Sequence, residues 1–283
     1  MRTLVCIGDL VEDVVVWTDG VTRAGTDNPA RIHRARGGAA ANVAAFASRL
    51  GTPVRFIGRV GHDAAGEALM RDLEAAGVEA KVQRQGRTGT IVILVDGSGE
   101  RTMYPDRAAA AELADVPDSW ISGAAAVHLS AYSLTGTVPH QAAEIAHAEG
   151  AIVTIDASSV ALIDSLGPDT FRARIRALQP TCLFANRAEA DLGCLRQLAT
   201  HGTTVVIKHG LDPTAIHTDG RSVSVPVPPV DDVRDTTGAG DAFAAGFLSA
   251  VLDDADTVEA VEAGHRLARM VLTEPGATLK ENP

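Results

Sequence analysis

The chain has 283 residues, 46% of them hydrophobic and 22% charged, which is enough apolar side chain to close a large core and too much for a disordered tail. At roughly 150 residues per domain the length suits one or two domains, and α/β folds often use such a length as one. With 25 Lys and Arg against 36 Asp and Glu the formal net charge is −11, and the basic residues are scattered, so neither nucleic acid nor an anionic membrane is an expected partner.

Short β-branched runs alternate with Ala/Leu-rich stretches at helical spacing, the habit of βα units around a mainly parallel sheet. Core strands are expected at Thr3–Gly8, Val54–Gly58, Ala125–Leu129, Ile152–Asp156, Cys182–Ala185, Thr204–Lys208, Ala215–Thr218 and Ser222–Val227. Helices are expected at Ala40–Leu50 and Ala64–Ala76, each followed by the Gly that favours a helix C-terminus, Gly51 and Gly77. Further helices are expected at Pro139–Glu149, Pro168–Leu178, Arg187–Leu198, Ala239–Leu252 and Val258–Leu272.

Two segments break this rhythm. Thr90–Val95 and Arg101–Tyr104 flank Asp96-Gly97-Ser98-Gly99 and read as an antiparallel hairpin, and Val14–Thr18 with Ala30–His33 reads as a second strand pair. Together they suit a small β-layer at one end of the main sheet, either a lid over a site or a decorative edge.

Cys6, Cys182 and Cys194 occur singly, without the spacing of a zinc site or redox dithiol. Leu4-Val5-Cys6-Ile7 is broken by Gly8-Asp9, too soon for a signal-peptide core, and no apolar stretch approaches the ~18 residues of a membrane helix. A soluble cytoplasmic protein is the expectation.

The most informative stretch is Val233-Arg234-Asp235-Thr236-Thr237-Gly238-Ala239-Gly240-Asp241-Ala242-Phe243-Ala244-Ala245-Gly246-Phe247, after which Leu248, Val251 and Leu252 continue an apolar helical stripe. Gly238 and Gly240 let the backbone turn tightly so that consecutive N–H groups aim at one spot, where the helix dipole also favours an anion. A carboxylate at Asp241 is electrostatically odd there unless it acts on a proton or is separated by a metal; the alternative is simple dipole compensation. A second helix start, Gly37-Gly38-Ala39-Ala40-Ala41-Asn42, lets a ligand approach the backbone while Asn42 offers a donor and an acceptor. Its alternative is tight packing on a strand.

Two competing phosphate motifs fail. Gly61 and Gly66 have P-loop spacing, but Glu67-Ala68 follow where Lys and Ser/Thr are required. A dinucleotide fingerprint wants Gly or Ala where Phe243 stands, and Gly8-Asp9-Leu10 lacks its second glycine.

The two glycine-rich helix starts, with Phe56-Ile57-Gly58-Arg59-Val60-Gly61-His62-Asp63 and Asn186-Arg187-Ala188-Glu189 between them, resemble the signatures of the ribokinase-like (PfkB) carbohydrate and nucleoside kinases over nearly the whole chain. The resemblance implies a single ribokinase-like α/β domain, residues 1–283, with a mainly parallel central sheet flanked by helices on both faces. It also implies a small β-sheet lid formed by segments of about 11–35 and 84–106. Asp241 matches the catalytic base, and Gly238, Ala239 and Gly240 match the anion hole. Asp13, Gly38, Asn42 and Arg107 match substrate contacts. Asn186, Lys208, Gly210 and His265 match the ATP side, and Glu189 matches a residue that places Mg²⁺ through water. Asp235 and Thr237 suit a monovalent-cation site, although Lys280 stands four residues after Gly276 where the family has Ser. Ala39 replaces the Lys of ribokinase proper.

The expected activity is ATP- and Mg²⁺-dependent phosphorylation of a hydroxymethyl group on a small sugar, of the ribose, fructose or keto-deoxy sugar acid type. The alternatives are a nucleoside kinase on the same scaffold and a non-catalytic sugar- or nucleotide-binding protein. K⁺ and a homodimer through the lid complete the expectations.

Overall fold

Apolar β-branched runs become interior strands where both faces can be covered, and in this chain the covers are the Ala-rich helices between them. The computed structural model describes residues 2–18, 20–97, 101–273 and 277. Its strands are β1 (Thr3–Ile7), β2 (Val11–Thr18), β3 (Ala30–Gly37), β4 (Val54–Val60), β5 (Glu79–Arg84), β6 (Thr90–Val95), β7 (Arg101–Asp106), β8 (Ala124–Ser130), β9 (Ile152–Asp156), β10 (Cys182–Asn186), β11 (Thr204–His209), β12 (Asp212–Thr218) and β13 (Arg221–Val225). The helices are α1 (Ala39–Arg49), α2 (Ala64–Ala75), α3 (Asp118–Ile121), α4 (Val138–Ala148), α5 (Val160–Leu166), α6 (Pro168–Ala177), α7 (Arg187–Leu192), α8 (Ala239–Leu252) and α9 (Thr257–Leu272).

Among the described residues nine strands form one sheet in the order β13-β12-β11-β10-β9-β8-β1-β4-β5. Pairing is parallel from β11 to β5 and antiparallel only at β11–β12 and β12–β13. Alternation along β1 sends Leu4 and Cys6 into a core shared with α1, α8 and α9, and Val5 and Ile7 into a second core shared with α4 and α6. Helices therefore cover both faces, as expected. Parallel strands share one carboxyl edge, where βα loops and helix N-termini gather.

The four remaining strands form a separate sheet, β3-β2-β6-β7. The two expected hairpins are present, and the parallel pairing of β2 with β6, Asp13 against Ile91 and Val15 against Ile93, joins them. Ser98 and Gly99 of the connecting turn lie outside the described residues.

Some boundaries depart from expectation for identifiable reasons. The sequence reading omits β5, a polar strand (EAKVQR) that pairs only with β4 and so needs no apolar run. It also omits α5, whose start is capped by the Ser159 side chain. The expected helix Arg187–Leu198 stops at Leu192, because Gly193 and Cys194, the latter at φ +48°, turn the chain into a 3-10 segment, Leu195–His201.

One contact matters for the site. Phe184 of β10 is fully buried and meets Phe247 edge-on at 5.0 Å and Phe243 at 6.1 Å between ring centroids. Burial of each ring contributes about 1.5–3 kcal/mol. The three rings fix the start of α8 against the carboxyl end of β10. Close approach of α8 to α9 requires Gly246, where a methyl would lie 2.7 Å from the Ala263 carbonyl oxygen.

Candidate active site

Two helix starts rich in glycine converge at the carboxyl edge of the sheet. Gly38, at φ +103°, begins α1, and Gly238, at φ +77°, begins α8; neither helix has a side-chain cap. By contrast, Asp63 and Asp256 cap α2 and α9. An uncapped start leaves main-chain donors for a ligand. Side chains are also excluded sterically: a methyl on Gly38 would strike the Asp9 carbonyl, and one on Gly37 the Asp13 carboxylate.

Asn42 and Asp241 bridge the two helices, Asn42 Nδ2 donating to Asp241 Oδ2 at 2.9 Å. Burial raises the Asp241 pKa to about 7, the Asn42 hydrogen bond and Lys208 acting against this and Asp156 and Asp13 adding to it. A carboxylate with its pKa raised this far is suited to exchange a proton near neutrality, and compensating a helix dipole does not require such desolvation. Burial likewise lifts Asp13 to about 6 against the pull of Arg36. Asp13 Oδ1 and Asn42 Oδ1 are buried without a hydrogen-bond partner among the described residues. Two acceptors left open beside Asp241 suit the hydroxyl groups of a polyol.

A cavity of about 620 Å³ runs along this edge, bordered by Gly240 and Asp241 at one part and by Leu211, Val227 and Pro228 at another. Asn186, Glu189, Lys208, Gly210 and His265 all line it. Asn186 and Glu189 form a reciprocal capping box, with Asn186 N–H donating to Glu189 Oε2 at 2.8 Å and Glu189 N–H to Asn186 Oδ1 at 2.9 Å. Burial first, then Asp156, raises the Glu189 pKa. His265 pairs through Nε2 with the Thr214 hydroxyl at 2.8 Å, and burial lowers its pKa.

A second cavity, of about 530 Å³, lies between the small sheet and α1. Asp13, Val15, Trp17 and Ile93 from the sheet line it, together with Phe46 and Arg36.

Arg107 lines neither cavity among the described residues. Its Nε donates to the buried Asp9 at 2.6 Å and its guanidinium stacks 3.7 Å above the Tyr132 ring. Asp235 and Thr237 already share a cation: Arg101 of β7 bonds both, and Thr236 as well. That arrangement does not fit a monovalent ion between them. Lys280 and Gly276 lie outside the described residues.

The sequence reading misses Asp156, Arg36, Arg101 and Asp9. Asp156 has a usable signal, an acid at the carboxyl end of an apolar parallel strand. The two arginines have none, since only folding brings β3 and β7 over the helix starts.

The sequence pattern of pfkB family carbohydrate kinases matches residues 1–283. The chain belongs to that family. It is therefore a phosphotransferase with an alcohol acceptor, of the sugar and nucleoside kinase class, and ATP is its expected phosphate donor. It is 32% identical over 98% of its length to the ATP-dependent ribose-1-phosphate kinase of Halopiger xanaduensis, covering 94% of that protein. It is 28% identical to adenosine kinase 1 of Arabidopsis thaliana over 81% of this chain and 74% of that one. Among solved structures it resembles adenosine kinase from Sinorhizobium meliloti, with TM-score 0.85 and 25% identity over 98% of this chain and 95% of that one. A probable sugar kinase from Rhizobium etli shares the fold at TM-score 0.88 and 23% identity, over 99% and 95% of the two chains.

The desolvated Asp241 carboxylate carries a stability cost with a definite sign. The Asp241 pKa is raised to about 7 from 3.8, so the native state binds the extra proton between these values and stability falls as pH rises through that window. Asp241→Asn is expected to raise Tm at pH 8 by the equivalent of a few kcal/mol and to leave it nearly unchanged at pH 4, as read by calorimetry; a lower Tm at pH 8 contradicts the assignment.

Proposed function

We propose that this protein is an ATP-dependent sugar kinase that transfers the γ-phosphate of ATP to a hydroxymethyl group of a small carbohydrate of the ribose, fructose or keto-deoxy sugar acid type. Residues 1–283 act as a single ribokinase-like domain. The observation that carries this reading is the half-buried Asp241 carboxylate, bonded by Asn42 at 2.9 Å beside an uncapped helix start, where desolvation raises its pKa.

In this mechanism the adenine lies among Leu211, Val227 and Pro228, with Gly210 and His265 nearby, and the phosphates reach the backbone N–H groups of Gly238, Ala239 and Gly240. Asp13, Gly38 and Asn42 hold the acceptor sugar. Asp241 takes the proton of the attacking hydroxyl as its oxygen bonds to the γ-phosphorus and the bond to the departing ADP oxygen breaks. Backbone donors fixed at a helix start stabilise the spreading charge without reorganising. By analogy with oxyanion holes, one such donor contributes about 2.7–4 kcal/mol to the transition state.

Glu189, which lines the cavity beside Asn186, would hold Mg²⁺ through water, the way a cation that keeps several waters is bound. Bound Mg²⁺ would neutralise phosphate charge. Arg107, by the family resemblance, is a further acceptor contact in this reading, and its partners in the structure are Asp9 and the Tyr132 ring.

The small sheet, built from segments 11–35 and 84–106, serves as the lid. Support comes from Asp13, Val15, Trp17 and Ile93, which face the smaller cavity, and from Arg101, which ties β7 to the loop before α8. The opposite face of that sheet carries Val14, Val16, Val92 and Leu94 by alternation, with Ile32 64% and Tyr104 56% exposed. A second copy of the chain is the proposed cover. Among the described residues no helix is long and apolar enough to cross a membrane, and the cytoplasm, with its ATP, is the proposed setting.

A nucleoside kinase is the second reading, favoured by the Trp17 and Phe46 rings in the acceptor cavity. A non-catalytic binding protein is disfavoured, because the costly ionisation of Asp241 would then have no use.

Three outcomes are expected. Asp241→Asn lowers kcat roughly 10²–10⁴-fold while ATP still binds by calorimetry; the wild-type kcat/KM rises with pH through an apparent pKa of about 7, because the base must be ionised. In a panel of ribose, fructose, keto-deoxy sugar acids, ribose 1-phosphate and adenosine, the highest kcat/KM falls on a sugar; a preference for adenosine selects the second reading, and ATP binding without ADP release selects the non-catalytic one. Sedimentation velocity shows a dimer that Ile32→Glu converts to monomer, whereas a monomeric wild type rejects the assembly.

A further inference from the structure

Lys208 lines the larger cavity close to the start of α8. It stands near the end of β11 opposite Asn186 in the parallel β10–β11 pair, and its ammonium donates to Asp156 Oδ2 at 3.0 Å. A methyl built on Gly240 would lie 3.4 Å from Lys208 Nζ. The charge therefore rests against the same turn whose main-chain donors border the cavity. Nζ also lies 5.7 Å from the Phe243 ring centroid, and that ring is held by Phe184 and Phe247.

Three acids share the surroundings of this ammonium: Asp156, Glu189 and Asp241. Burial alone would lower the Lys208 pKa, but Asp156 and then Glu189 outweigh it, so the side chain remains charged. An ammonium has three donors. One is used on Asp156, and among the described residues the other two are open to phosphate oxygens while the first holds the group in position.

We propose that Lys208 is a catalytic residue of phosphoryl transfer, its ammonium contacting the phosphoryl group in flight alongside the backbone donors of Gly238–Gly240. This rests on the kinase reading given above. Lys208 keeps its proton throughout. The acceptor oxygen bonds to phosphorus, the bond to ADP breaks, the acceptor proton passes to Asp241, and the ammonium offsets charge on the equatorial oxygens. Asp156 is then a positioning residue that holds the cation ready before ATP arrives.

The rival account is that Lys208 merely neutralises the half-buried Asp156. ADP-release assays on Lys208→Met, Lys208→Arg, Asp156→Asn and the double variant Lys208→Met with Asp156→Asn separate the two. Lys208→Met is expected to lower kcat roughly 10²–10³-fold with the acceptor KM nearly unchanged. It also moves the acid limb of the pH profile upward, because a cation favouring the Asp241 carboxylate is gone. Lys208→Arg retains part of the rate, and the double variant stays as slow as Lys208→Met. Recovery of wild-type kcat in the double variant, or unchanged kcat in Lys208→Met, overturns the proposal. Should Lys208→Met melt below the assay temperature, Lys208→Gln and Lys208→Arg decide by the same comparison. A wild-type protein that turns over no acceptor overturns the kinase reading itself, whereas an active wild type with an indifferent Lys208 overturns only this role.

Discussion

The meeting of two helix starts that share one hydrogen bond, Asn42 to Asp241, is the constraint on which the rest depends. Both starts begin at glycines with positive φ, both lack side-chain caps, and both point their positive dipole ends at the same volume. A carboxylate buried there would be expelled or neutralised in most folds. Here it is retained because Asn42 satisfies one oxygen and because the aromatic contacts of Phe184, Phe243 and Phe247 fix the helix that carries it.

Electrostatic frustration is concentrated at this edge of the sheet. Asp13, Glu189 and Asp241 all have pKa values pushed up, each mainly by burial. Natural sequences are locally consistent elsewhere and accept such costs where chemistry requires them. Away from the edge the cores are packed Ala, Val, Ile, Leu and Phe, with His128 and Thr154 satisfying each other at 2.9 Å. The stable sheet thus carries a rim of desolvated carboxylates, and that rim borders both cavities.

The small sheet connects Asp13 to the loop before α8. Asp13 belongs to β2, and two strands across the same sheet Arg101 of β7 reaches Asp235, Thr236 and Thr237 on the loop before α8. Any displacement of this sheet therefore moves both Asp13 and the loop that leads into Gly238. The guanidinium also supplies positive charge to Asp235 and Thr237, a place where the family resemblance had suggested a monovalent ion.

Several features were legible in the amino-acid order because their causes are local. Glycine at a helix start, β-branched runs between Ala-rich helices, and an Asn or Asp within the first turn all act within a few residues, so the α/β architecture, both helix starts and Asp241 could be read directly. The polar edge strand β5 was not, since an edge strand needs a partner more than an apolar pattern. Nor were Asp156, Arg36 and Arg101, whose neighbours are supplied by other elements. Residue order alone sets which atoms can make an anion turn and a proton acceptor. Tertiary structure alone decided the depth of Asp241, the ammonium set against Gly240 and the arginine laid across the loop, because desolvation and Coulomb interactions depend on distances that chain order does not contain.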